Sequence, residues 1–166
     1  MIWFRRRDRP ELRQSGGCPL GEAGCGCALG ALGALPMTSP WGWRVHPTLH
    51  TVRWHNGIDI PVAVGTPVVA SRSGIVSRVD VAGVGRGEIN GNAVLVRDAA
   101  GMTWAYLHLD RALVSPGQRV AQGQLIGRSG ATGRVTGPHL HLTVYTAGGR
   151  DLDPVALFPP GSFVEA

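Results

Sequence analysis

Three short clusters hold the residues whose types and spacing could do metal chemistry: His55-Asn56-Gly57-Ile58-Asp59, Tyr106-Leu107-His108-Leu109 and Gly137-Pro138-His139-Leu140-His141-Leu142. Four of the six histidines and one carboxylate, Asp59, fall in them. On a strand, alternate side chains share a face, so His139 and His141 point the same way and can share a metal ion and its water. Neutral imidazole and carboxylate oxygen both suit Zn²⁺, and a catalytic zinc takes three protein ligands with one position open. Two histidines and an aspartate set one negative charge against the ion's two. The residual positive charge lowers the pKa of bound water from about 16 toward about 7. Histidines left over can then deprotonate the water, stabilise an oxyanion and protonate a leaving amine. His55, Asp59, His108, His139 and His141 compete for the three ligand places, and spacing alone does not rank them. A thiol or serine nucleophile is poorly supported: Cys18, Cys25 and Cys27 all lie far from the histidines, and no Gly-x-Ser-x-Gly elbow occurs.

The elements that position these clusters read as strands and turns. Gly57 and Pro61 argue for extended or looped backbone around His55 and Asp59 rather than a helix. Residues 66–70, 74–81, 93–98 and 102–109 are rich in β-branched and aromatic residues, and Asp98-Ala99-Ala100-Gly101 fits a hairpin turn. Residues 83–91 form a Gly-rich surface loop near the site, without a Walker lysine or a helix behind it. Residues 129–137 form a second loop, placed to line a groove. With 25 Gly and 12 Pro among 166 residues, the expected fold is all-β: a single antiparallel-sheet or sandwich-like domain with a loop-lined groove and little helix. His46 and His50 are expected to be packing or surface residues.

The domain is expected over residues 38–166, preceded by a basic tail or docking arm at 1–37. Its Gly-broken apolar run at 28–35 falls far below the roughly 18 residues of a membrane span, so no transmembrane segment is expected. The three cysteines match no standard zinc spacing and read as incidental or lipid-linked. All 16 basic residues are Arg, and the net charge is +5. That balance favours a polyanionic partner such as a cell envelope. Without an Arg run interleaved with aromatics in the body of the chain, nucleic acid is not expected.

With these residues set out, the chain resembles the lysostaphin/LytM-like zinc metalloendopeptidases, which cut cross-links or stem peptides of bacterial peptidoglycan. The resemblance runs over roughly residues 39–158. It includes Trp41-Gly42-Trp43-Arg44-Val45-His46-Pro47, His55 to Ile60, Gly65-Thr66-Pro67-Val68, Gly91-Asn92, Tyr106 to Leu109, Gly123 to Gly127, Thr136 to His141 and Asp153-Pro154. It implies His55, Asp59 and His141 as ligands of one Zn²⁺, with His108 and His139 as catalytic residues flanking the reactive centre. Asn92, Tyr106 and Thr136 are the expected walls of the substrate groove, with the core as the other expected place for Tyr106. Peptidoglycan is the implied partner, and the cell wall or periplasm the implied place of action. A virion-associated or exported enzyme fits this picture: a phage endolysin, a tail peptidase docked on phage tail proteins through the N-terminal arm, or a bacterial wall-remodelling enzyme. Some relatives lose ligands and become non-catalytic modules, the alternative reading; all five key residues are present here.

Overall fold

The computed structural model describes residues 34–45 and 50–166. The expectations placed on the arm at residues 1–33, its three cysteines and His46 lie outside the described residues. Thirteen strands follow one another among the described residues: β1 Leu35–Met37, β2 Gly42–Val45, β3 Val52–His55, β4 Ile58–Ile60, β5 Pro67–Val69, β6 Gly74–Asp80, β7 Asn92–Asp98, β8 Thr103–Ala112, β9 Arg119–Val120, β10 Leu125–Ser129, β11 Leu140–Tyr145, β12 Asp151–Leu152 and β13 Phe163–Glu165. The all-β expectation holds. Two corrections apply. The Gly-rich loop contains one helical turn, α1 at Gly87–Asn90. The domain also begins before residue 38, because Leu35 and Met37 are buried and β1 pairs with β13.

One sheet carries Asp59, His108 and His141, while His55 ends β3, which pairs with β2 in a separate two-stranded sheet. Along the larger sheet run β12, β11, β8, β7, β6 and β9, with β4 on β11 and with β10 joined to both β5 and β8. All pairings within it are antiparallel, whereas β1 and β13 run parallel. Alternation sorts the side chains. Ile58, Ile60, Val94, Val96, Trp104, Tyr106, Leu140 and Leu142 enter the main core, while Ala93, Leu95, Ala105 and Leu107 form a smaller cluster of their own. Strand β11 is central: β8 pairs along one edge, and β4 and then β12 share the other.

Tyr106 belongs to this core. It stands opposite Leu142 in the ladder, is fully buried, and its hydroxyl accepts a 2.7 Å bond from the Ser71 backbone N–H. Its expected place on the groove wall is therefore corrected. Burial pushes its phenol up to about 12, with the bond from Ser71 opposing, so it stays neutral. Replacing Tyr106 with Phe strands the buried Ser71 N–H, and urea unfolding should show a loss of about 1–3 kcal/mol. Metal content should not change.

Candidate metal centre

The ladder around β11 brings distant residues together. His141 lies opposite Asp59 of β4 and opposite Leu107 of β8. His55 closes β3, and Asn56-Gly57 carries the chain into β4. A Cβ at Gly57 would lie 2.7 Å from His141 Nε2 and 2.6 Å from Thr143 Oγ1, so only glycine lets this connection pass behind the histidine. Residues 38–40 hold the same pair from the other side. Thr38 N–H donates to Asp59 O and Asp59 N–H to Ser39 O, both at 3.0 Å, while His55 Nδ1–H donates to Pro40 O at 2.7 Å.

His55 Nε2, His141 Nδ1 and Asp59 Oδ1 form a triangle with edges of 3.2, 2.8 and 3.3 Å. Ligands about 2.0–2.1 Å from a tetrahedral zinc stand roughly 3.3 Å apart, so the three atoms already sit near that spacing. All ligand atoms of the group lie within 4.8 Å of one another. The donor set is two imidazoles and one carboxylate, and His55 and His141 are buried. Burial of Asp59 would raise its pKa. Hydrogen bonds and charge from His141 and His55 outweigh that and hold the carboxyl well below the usual range. Burial lowers His141, opposed by Asp59. A neutral imidazole and an ionised carboxylate are the forms a metal takes. The residues fit Zn²⁺.

His108 reaches the same place by a break in the sheet. On one edge of β8, pairing with β11 ends at Leu107 and pairing with β10 begins at Leu109. On the other edge, β7 slips by one residue over the same stretch, from Val94↔Tyr106 to Asn92↔Leu109. The extra residue is His108, with φ 61°. Histidine is among the few non-glycine types that enter this left-handed region with any frequency. Without the bulge, His108 would follow Tyr106 into the core. With it, Leu109 takes the core face and His108 turns to the groove.

His108 Nδ1–H donates to Thr132 O at 2.9 Å, and His139 Nδ1–H donates to Gly137 O at 2.9 Å. Because each acceptor is a carbonyl, Nδ1 carries the proton of the neutral ring and Nε2 is left free. The two rings lie 4.9 Å apart, and His139 Nε2 is 3.6 Å from Asp59 Oδ1. Burial pushes His108 down to about 4, so it is uncharged near neutrality.

The groove is lined by Thr38, Ser39, Pro40, Arg44, Val45, His55, Asp59, Pro61, His108, His139, His141 and residues 134–138. Thr136 is among them, as expected. Asn92 is not, and this is a second correction to the groove wall, after Tyr106: its side chain is spent on backbone. It accepts from Ala82 N–H and donates to Leu109 O and Asp110 O. Its own N–H donates to Thr132 Oγ1, which donates in turn to Leu109 O. Asn92 thus ties down both the bulge and the residue that holds His108. Sequence reasoning missed Pro40, Thr132 and Gly137, which act through carbonyls that every residue possesses. Arg134 falls in the 129–137 loop expected to line the groove, whereas Arg44 was not expected there.

Residues 53–154 match the pattern that defines Peptidase family M23. The peptidoglycan DD-endopeptidase ShyC of Vibrio cholerae is 45% identical over 98 residues, 59% of this chain and 22% of that protein. Among solved structures, a zinc-containing peptidase from Vibrio cholerae superposes with a TM-score of 0.66 at 34% identity, covering 84% of this chain and 39% of that one. Lysostaphin of Staphylococcus simulans, an antimicrobial peptidase, superposes with a TM-score of 0.63 at 29% identity over 75% of this chain and 49% of its own. The chain spans about a quarter of the length of the curated relatives it matches.

Two outcomes are expected at this centre. Replacing Asp59 or His141 with Ala should abolish stoichiometric zinc in metal analysis, whereas His108→Asn and His139→Ala should retain it. The second concerns pH. The folded value of His108 is depressed from 6.5 to about 4, so its stabilising contribution is complete above about 6.5 and is lost as pH falls toward 4. Melting of metal-free protein should weaken across that window, and His108→Asn, which keeps the left-handed backbone but does not titrate, should flatten the slope.

Proposed function

The chain belongs to peptidase family M23, and we propose that it is a zinc-dependent endopeptidase that hydrolyses peptide bonds in bacterial peptidoglycan. The observation that carries the reading is the convergence of His55, Asp59 and His141 beside two histidines whose Nε2 atoms are free. In this reading His55, Asp59 and His141 hold one Zn²⁺, which when bound supplies a Lewis acid to polarise the scissile carbonyl. His108, neutral near pH 7, accepts a proton at Nε2 from the attacking water. His139, on the other side of the same space, holds a proton at Nε2 when charged and delivers it to the leaving amine. The carbonyls of Thr132 and Gly137 keep both rings facing the groove through that exchange. Thr136 lies on the wall against which a substrate strand would rest. The bacterial cell wall or periplasm follows as the place of action. Docking on phage tail proteins was an expectation for the N-terminal arm, and no described residue bears on it.

Purified peptidoglycan treated with the protein should release new free amines and peptide termini by mass spectrometry. They should disappear with a zinc chelator and return with added zinc. Walls of several chemotypes left intact by a protein that contains zinc would replace this reading with that of a non-catalytic wall module. His139→Ala should keep the metal and lower kcat by about 10²–10⁴-fold.

A further inference from the structure

Arg44 is the unsettled residue of the groove. It lies on β2 and is partly buried, and its Nε is shielded from solvent without a hydrogen-bond partner among the described residues. Its one ion pair among the described residues is loose: Nη2 stands 3.8 Å from Asp59 Oδ2. Asp59 Oδ1 is committed to His141 and His55. A guanidinium offers five donors in a planar fork that matches a carboxylate. Buried donors are normally satisfied, and one left without a partner marks a place where an acceptor is missing. Arg134 lies on the facing loop, exposed, with no side-chain partner among the described residues. Histidines apart, the ionisable side chains lining the groove are Asp59, Arg44 and Arg134. The single acid belongs to the metal site, so the groove is cationic along both walls.

We infer that Arg44, assisted by Arg134, is a carboxylate-binding subsite that selects peptides with a free carboxylate on a residue flanking the scissile bond. This rests on the reading of the groove as a peptide-cleaving site. It divides wall peptides by chemistry: stems and cross-links with free acid groups are favoured over uncharged bridges and over amidated stems. Because Arg44 lies within an ion-pair distance of a candidate ligand, the carboxylate it holds fixes the substrate next to the reacting carbonyl. Arg134, at the rim, adds attraction without a fixed geometry.

The test is calorimetric titration of the zinc-loaded full chain with acetyl-D-alanyl-D-alanine and with its C-terminal carboxamide, run beside wall digestion. The acid should bind about 10–100-fold more tightly than the amide. Arg44→Gln should bring the two within about twofold, and Arg44→Lys should restore part of the difference by charge alone. Arg134 is exposed, so Arg134→Gln leaves the fold intact and should reduce the preference severalfold. Equal binding of acid and amide by the unaltered protein overturns the inference. So does a preference that survives both Arg44→Gln and Arg134→Gln, since the metal alone would then be its source. Wall cleavage without acid preference removes this inference and leaves the peptidase reading. Acid preference without wall cleavage does the reverse.

Discussion

The ladder between β4 and β11 fixes more than any other contact in the molecule. Ile58 faces Leu142, Asp59 faces His141 and Ile60 faces Leu140, so one stretch of three pairs is apolar toward the core and presents two candidate metal ligands toward the groove. Sliding either strand by one residue would turn every side chain to the opposite face. Burying Asp59 and His141 in the core in exchange for leucine and isoleucine would then be prohibitive. The four fully buried aliphatic side chains therefore set the register, and the register assembles the site. Metal-site geometry here is a product of hydrophobic alternation.

A second constraint works against that alternation. β8 obeys it through Trp104 and Tyr106, then breaks it once at His108, whose left-handed backbone is unfavourable for most residues. The break persists because its surroundings leave no other solution. β11 and β10 meet at this point on one edge, Asn92 bonds to two consecutive carbonyls beyond it, and Thr132 bonds to the ring. Gly91 and Gly133, both at positive φ, let the two loops approach so closely that an added Cβ on either would strike the other's backbone. The loops that look like decoration on the sheet are the clamp that makes its irregularity permanent.

These two constraints explain what the sequence could and could not reveal. His139 and His141 were legible as a same-face pair because a strand alternates, whereas His55 and Asp59 stood out as ligands through the resemblance and not through their spacing. The same alternation decides Tyr106, for which core and groove wall were both open: a regular strand up to Leu107 sends it to the core, and only the bulge sends His108 elsewhere. A bulge is a one-residue slip in pairing between segments far apart in sequence, and no local residue pattern encodes it. Asn92 was read from its motif as part of the groove, and its role is visible only once both loops are folded. Arg134 lies in the loop expected to line the groove, but nothing in the sequence sets it or Arg44 apart from the other arginines as groove charges, so that charge becomes visible only in the folded chain.

The segment at residues 38–40 has a mechanical consequence. It runs directly out of β1, which is held to β13 by three parallel pairs, and within three residues it contacts Asp59 through two backbone bonds and His55 through a carbonyl. These bonds lie in series. A pull that unzips the first strand from the last would next load the backbone of one candidate ligand and the ring orientation of another, before the large sheet is disturbed. Tension on that strand and the geometry of the centre are therefore linked by a lever only a few residues long.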